Sequence, residues 1–377
     1  MTAEMLLERV AHGGLVVGRL DGKVVFTTGG LPGERVLVEV TDRGSRFDRA
    51  RVVEVVEAAP GRVEPPCPIA GRCGGCDWQH ADAATQLELK RAVVAEQLQR
   101  LAGIDWDGTI EPVPGGLLGW RTRVRYAVDD DGTVGLRARR SHDIVALPDQ
   151  GCLIAAPGPS LAELHDVAEP GVDLEVTVAD RSTTMVSGRR THGPDPVQQK
   201  VLDRTYTVAA TGFWQVHPAA AETLSRAVLD GLRPEEGERA MDLYCGVGLF
   251  AGALVDAGCM VLGVEAGRGA VQLARRNVPE AEFLALPVER AGRELPDWAD
   301  LIVLDPPRKG AGAKVVREIA SRQPRAVAYV ACDPAALARD LATFAEEGYE
   351  PSSIRGFDLF PMTHHVETVA LMSRVEE

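Results

Sequence analysis

The chain has 377 residues, is 45% hydrophobic and 25% charged, and carries a formal net charge of −14. That composition fits a globular protein of two or three domains and excludes collagen-like, coiled-coil and largely disordered chains. The acidity argues against a large nucleic-acid surface, and the lack of any long apolar run or basic-then-apolar leader predicts a cytoplasmic, monomeric protein with no membrane contact.

In chain order, residues 1–58 predict a small β-barrel domain, because short Val-rich stretches (VVGRLDGKVVFTTG, GERVLVEVTDRG) are broken by glycines and charged turns. A Pro-rich break (APGRVEPPCP) then opens a central α+β domain over residues 59–200. In it, residues 77–100 have apolar positions at helical spacing and no internal Gly or Pro, which predicts a helix. Residues 112–190 read as short strands and turns. Six arginines fall between Gly119 and His142, and Arg121, Arg123 and Arg125 among them are expected to contact RNA. A solvated hairpin face explains the same charges equally well. From about residue 205 the rhythm changes to strand then helix, predicting a mostly parallel sheet with helices on both faces over residues 201–377. The chemistry of such a sheet lies at the carboxyl ends of its strands.

DLYCGVGLF at 242–250 closes one predicted strand and opens a helix. Gly246 and Gly248 let the backbone turn tightly against a ligand. Glu265 ends the next strand, where a carboxylate accepts ribose hydroxyls. Asp242, placed before the turn, would repel a pyrophosphate but suits a methionine ammonium. These details favour S-adenosylmethionine over a nicotinamide or flavin nucleotide, with a purely structural turn as the remaining alternative. Asp305, in DPPR at 305–308, ends a further strand and faces cofactor or substrate unless it merely caps a rigid turn.

Cys332 ends the apolar strand AVAYVAC, a plausible position for a nucleophile, although a lone cysteine is more often core. Glu367 lies between apolar strand residues in HHVETVAL, where an inward carboxylate is costly unless paired or used. A thiol, a base and a sulfonium are what methylation of uracil C5 requires, because C5 becomes nucleophilic only after a thiolate adds to C6.

The motifs GFWQ (212–215), DLYCGVGLF (242–250), DPPRKG (305–310), YVACDPAALARDL (329–341) and FPMTHHVE (360–367) follow one another in an order that resembles the uracil-C5 RNA methyltransferase family, in particular its bacterial 23S ribosomal RNA branch. The resemblance spans nearly the whole chain. It implies a class I, Rossmann-like S-adenosylmethionine-dependent catalytic domain behind an N-terminal TRAM (OB-like) barrel. It also implies Gln215, Tyr244, Glu265 and Asp305 as cofactor contacts, Cys332 as nucleophile and Glu367 as proton acceptor. The substrate it implies is 23S rRNA, with transfer RNA, a small molecule, or RNA binding without catalysis as rival readings. The chain departs from the family at His217, Ala331 and Asp333, where Asn, Ser and Asn are usual.

Cys67, Cys73 and Cys76 form C-x5-C-x2-C, and Cys152 is available as a fourth ligand after the chain folds back. Four thiolates suit zinc or an iron–sulfur cluster, and spacing alone does not separate these from free thiols. The loop resembles the family's [4Fe-4S] site, which implies a structural, RNA-orienting cluster held by these four cysteines. Cys245 and Cys259 are expected to pack internally, and Phe47, Trp78, Trp120 and Phe213 are aromatic faces available either for stacking or for burial.

Overall fold

The structure, a computed structural model, describes residues 2–179, 182–187 and 190–375. Strands β1 (Thr2–Ala11), β2 (Leu15–Leu20), β3 (Lys23–Thr28), β4 (Arg35–Arg43) and β5 (Phe47–Glu57) close into a barrel in the order β1-β2-β3-β5-β4. Alternation along the strands turns Met5, Leu7, Val16, Val25, Val36 and Val38 into its core. Buried Glu34 accepts hydrogen bonds from Leu31 N–H, Ala59 N–H and the Arg62 guanidinium, and so fastens the barrel to the segment that follows it.

The first helix, α1 (Ala83–Ala102), starts where the Asp82 side chain accepts from Thr85 N–H at 2.8 Å and stops at Gly103, which is left-handed at φ 67°. Beyond it, β6 (Ile110–Pro112) leaves the central domain and joins the catalytic sheet. Strands β7 (Arg123–Val128), β8 (Val134–Arg137), β9 (Ile144–Ala146), β10 (Leu174–Ala179), β11 (Ser182–Ser187) and β12 (Arg190–His192) form a sheet ordered β12-β11-β10-β7-β8-β9. Helix α2 (Leu161–Val167) covers part of it and opens with a capping box between Ser160 and Glu163. A hairpin of β13 (Val197–Val201) and β14 (Arg204–Val208) leads into the catalytic region.

There, α3 (Ala220–Leu232), β15 (Arg239–Leu243), α4 (Leu249–Asp256), β16 (Met260–Glu265), α5 (Arg268–Asn277), β17 (Glu282–Ala285), β18 (Leu301–Leu304), α6 (Ala313–Ala320), β19 (Ala326–Ala331), α7 (Pro334–Glu346), β20 (Tyr349–Asp358) and β21 (Glu367–Arg374) alternate. The sheet runs β17-β16-β15-β18-β19-β21-β20-β6, and β21 alone opposes its neighbours. The parallel pattern expected from the sequence therefore holds up to β19 and is broken by one reversed strand. The central strands are covered on both faces: Leu301, Val303, Ala328 and Val330 enter one core, while Ile302, Leu304, Val327 and Tyr329 enter the other. No helix among the described residues is long and apolar enough to cross a membrane.

Candidate active site

Reading across the sheet, the chain places one polar group at nearly every strand end along a single edge. Glu265 ends β16, Tyr244 to Gly246 follow β15, Asp305 follows β18, Cys332 follows β19 and Glu367 begins the reversed β21. Because Ala331 pairs with Thr368 in antiparallel register, the next step sets Cys332 opposite Glu367. The Thr368 hydroxyl donates to Ala331 O at 3.0 Å and locks that register. Sheet order also reverses beside β15, the point at which open α/β sheets bind ligands.

These groups line one cleft of about 1370 Å³. Gln215, Tyr244, Gly246, Glu265, Asp305, Cys332 and Glu367 all face it. Glu265 accepts from Gly246 N–H at 3.3 Å and from Gly267 N–H at 2.6 Å, so its carboxylate is oriented beside the turn. Gly246 and Gly248 adopt φ of 54° and 92°, a region that side chains disfavour. A Cβ on Gly248 would also come within 3.2 Å of Val278. Tyr244 takes φ 63° in the same turn, and its buried hydroxyl has no hydrogen-bond partner among the described residues. Asp242 departs from the expected role. It lies fully buried behind the turn rather than on the cleft wall, and one oxygen accepts from Ala251 N–H at 2.8 Å in the first turn of α4. Burial pushes its carboxyl well above the usual range.

Burial also raises Asp305 to about 7, although its side chain keeps some contact with the cleft surface. Burial, then the charge of Asp305, raises Glu367, with Arg308 acting in the opposite direction. Burial, followed by Glu367 and Asp305, pushes the Cys332 thiol up to about 12 against the pull of Arg308. Asp333, beside the thiol, is engaged elsewhere. One oxygen caps α7 through Ala336 N–H at 2.8 Å, and the other lies 3.0 Å from His12 Nε2 of the barrel.

The segment that carries Glu367 is held from behind. Buried Lys90 on α1 reaches Asp358 at 2.5 Å and Phe360 O at 3.0 Å, and Gln86 accepts from Met362 N–H at 2.7 Å. Asp77, directly after Cys76, accepts from His364 N–H at 2.9 Å, lies 2.6 Å from His364 Nδ1 and pairs with Arg139. Motif reading did not single out these groups, because their partners lie hundreds of residues away in sequence.

Of the three arginines expected to meet RNA, only Arg121 lines the cleft. Arg123 braces a loop from within: its guanidinium donates to Ala210 O at 2.9 Å and to Gly212 O, in the loop that carries Gln215. Arg125 pairs with Asp173 at 3.0 Å and lies near Glu175 at 3.7 Å. Alternation does not produce this split, since residues 123 and 125 share a face of β7; the local partners do, and the charge count does not reveal them. Arg139 and Arg140 line the cleft in their place. Trp78 and Trp120 are buried, Phe47 is half-buried, and Phe213 is 76% exposed at the cleft. His217 is buried and stacks on Trp120 at 5.8 Å, with Nε2 unpartnered. Cys245 and Cys259 are buried, as expected.

Cys67, Cys73, Cys76 and Cys152 gather in one neighbourhood. Burial raises Cys73, Cys76 and Cys152, and proximity to the other thiols of the group adds to the rise. Gly75 N–H donates to Cys73 Sγ at 3.3 Å. Among the described residues, no three Cys, His, Asp or Glu side chains stand close enough to hold a metal ion as placed.

A family model described as tRNA (Uracil-5-)-methyltransferase matches residues 290–375, and a TRAM domain model matches residues 2–53. A Streptomyces avermitilis protein named "Uncharacterized RNA methyltransferase" is 46% identical over 423 residues, covering 98% of this chain and 97% of its own. The Pseudomonas aeruginosa 23S rRNA (uracil(1939)-C(5))-methyltransferase is 34% identical over 424 residues, covering 97% of this chain and 93% of its own. The crystal structure of Pyrococcus abyssi tRNA (uracil-54, C5)-methyltransferase with S-adenosyl-L-homocysteine superposes with a TM-score of 0.76 at 23% identity, covering 98% of this chain and 100% of its own. The sheet, the glycine turn and the carboxylate at the next strand end define an S-adenosylmethionine-dependent methyltransferase of class I. The chain belongs to the uracil-C5 RNA methyltransferase family, carries a TRAM domain, and is an enzyme of that class.

Proposed function

We propose that the protein methylates C5 of a uridine in structured RNA, with Cys332 as nucleophile and Glu367 as general base. The observation that carries this reading is the register of β19 on β21, which sets the thiol opposite the carboxylate on the cleft wall. Gln215, Tyr244, Gly246, Glu265 and Asp305 would hold S-adenosylmethionine along the neighbouring strand ends, with Gly248 shaping the turn and Asp242 fixing it from behind. The bound donor supplies an electrophilic methyl group.

Cys332 Sγ adds to uracil C6 and drives an electron pair onto C5 and O4. C5 then takes the methyl carbon, as the bond between that carbon and the donor sulfur breaks and its electron pair stays on sulfur. Glu367 removes the C5 proton; the pair left by that bond restores the C5–C6 double bond, and the C6–S bond breaks to return the thiolate. Burial and the nearby Asp305 raise the proton affinity of Glu367, the direction in which a carboxylate holds more firmly a proton that it has removed. Arg308 supplies the positive charge that favours the thiolate. Phe213 offers an exposed aromatic face to an unstacked base, and Arg121, Arg139 and Arg140 offer cations to its phosphates.

Transfer RNA is the first substrate reading, because the family model over the segment holding Cys332 and Glu367 carries that description. 23S rRNA, the expectation from the sequence, is the second, supported by the Pseudomonas aeruginosa relative of that specificity. Cys67, Cys73, Cys76 and Cys152 would hold a [4Fe-4S] cluster as a structural brace, a reading supported by their clustering and by the Gly75 N–H aimed at Cys73.

The test is incubation of the full chain with methyl-labelled S-adenosylmethionine and, separately, unmodified transfer RNA and 23S rRNA, followed by nucleoside mass analysis. 5-Methyluridine in transfer RNA that vanishes with Cys332→Ala is the expected result. The product confined to 23S rRNA replaces the substrate and keeps the mechanism. No product in either RNA, with the donor bound, overturns the assignment.

A further inference from the structure

We propose that Asp77 is a positioning residue for the proton-removal step, acting on Glu367 through His364. This rests on the reading of Glu367 as the base. Asp77 follows the last cysteine of the loop, and its carboxylate is nearly buried, with a side-chain exposure of 9%. It meets groups from two directions. Arg139, beyond β8, pairs with one oxygen, while His364 lies on the other through both its backbone N–H, at 2.9 Å, and its ring Nδ1, at 2.6 Å. The backbone adds two more links, since Asp77 N–H and Trp78 N–H both donate to Met362 O, at 2.9 and 3.0 Å.

The opposite side of His364 is closed by the barrel. A Cβ on Gly14 would stand 2.8 Å from His364 Cβ, so the histidine has no room to retreat that way. The four residues from His364 to Glu367 thus start from a histidine held between the barrel turn and the cysteine loop. A carboxylate that abstracts a carbon-bound proton works over a narrow range of distance and angle, and a misplacement of about 1 Å is enough to slow such a step about a hundredfold. One residue nearer to Glu367, His365 Nε2 lies 3.3 Å from the exposed Arg308 guanidinium, whereas Asp77 is the nearly buried anchor on that side.

The chemistry makes this role separable from a general loss of fold. The C5-methylated, Cys332-linked uridine is released only when the C5 proton leaves, so a displaced base stalls the enzyme as an RNA–protein adduct. With full-length protein and the RNA found to be methylated, Asp77→Asn is expected to lower turnover about ten- to a hundredfold, to leave KM for RNA within about twofold, and to raise the fraction of adduct that survives denaturing electrophoresis. Glu367→Gln is the reference and should accumulate the same adduct. His364→Ala removes the ring half of the link and leaves the backbone N–H bond, is expected to stall at the same step to a smaller degree, and decides the matter if Asp77→Asn does not fold. Slower turnover of Asp77→Asn without adduct, while Glu367→Gln accumulates it, overturns the positioning role and leaves the base in place. Failure of Glu367→Gln to accumulate adduct overturns both.

Discussion

Asp305 and Glu367 are two carboxyls on one wall of a cleft, and burial raises the proton affinity of both. A carboxyl that binds its proton more tightly in the folded state than in the unfolded chain stabilises the fold at low pH. That contribution disappears as pH rises from the unfolded value near 4 to the folded value, about 7 for Asp305. Asp305→Asn is therefore expected to be more stable than the wild type at pH 8, by about 2 kcal/mol once its partial solvent contact is discounted, and equal to it near pH 4. Denaturant midpoints at the two pH values measure this, and a difference that does not change with pH would refute it. The same substitution removes a proposed contact to the methyl donor, so stability should rise while methyl transfer falls. The identities of Asp305, Cys332 and Glu367 were legible in the sequence, because each ends or begins an apolar strand. Their mutual influence was not, since it depends on which strands are neighbours. Arg123 shows the same limit, because spacing does not tell whether a guanidinium points outward or braces a loop.

Helix α7 begins at Asp333, the position at which the family usually has Asn. Both residues cap well, because each presents an oxygen to the N–H groups of the first turn. Asp333 does so through Ala336 N–H and also meets His12 of the barrel. Burial alone would raise its carboxyl, but His12 and the capping bond outweigh that effect and hold it below the usual range. The departure from the family is thus compatible with a capped helix beside the nucleophile. Asp333→Asn should keep stability within a few tenths of a kcal/mol and retain methyl transfer, whereas Asp333→Ala should lose about 1 kcal/mol. Thermal melts of the two variants distinguish them, and equal losses would show that His12 rather than the cap is what matters. At this scale the strand–helix repeats were readable from the chain alone, and α1 was readable from its apolar spacing. Helix α2 was missed although Ser160 and Glu163 carry a capping-box signature, because its seven residues give too little periodicity to stand out. The pairing of β6 with β20 was not legible at all: a three-residue strand acquires its partner only in the folded chain.

The barrel, the central sheet and the catalytic sheet meet at the loop that carries Cys67, Cys73 and Cys76. Trp78 Nε1 donates to Gly14 O at 3.3 Å, and buried His80 lies 3.2 Å from Gly30 O, both on the barrel. Gly74 N–H donates to Arg137 O at 3.0 Å on the central sheet, and Asp77 reaches the segment before Glu367. A loop of this kind has little apolar area of its own, so its shape depends on cross-links rather than on core packing. A cluster held by Cys67, Cys73, Cys76 and Cys152 would close it, and the positive charge of the metal would offset the cost of ionising the buried thiols Cys73, Cys76 and Cys152. Protein purified without oxygen is accordingly expected to contain about four iron atoms per chain, as a [4Fe-4S] cluster requires. Cys76→Ser should lower that content and the melting temperature together. Binding of S-adenosylmethionine should persist, since its proposed contacts lie on other strand ends, while methylation of RNA should fall, because the wall behind Glu367 is loosened. Iron analysis, a melting curve and donor titration of the same two proteins read these effects separately. Iron-free wild-type protein with an unchanged melt and full RNA methylation would mean that hydrogen bonds alone hold the loop, and the four cysteines would then be packing residues.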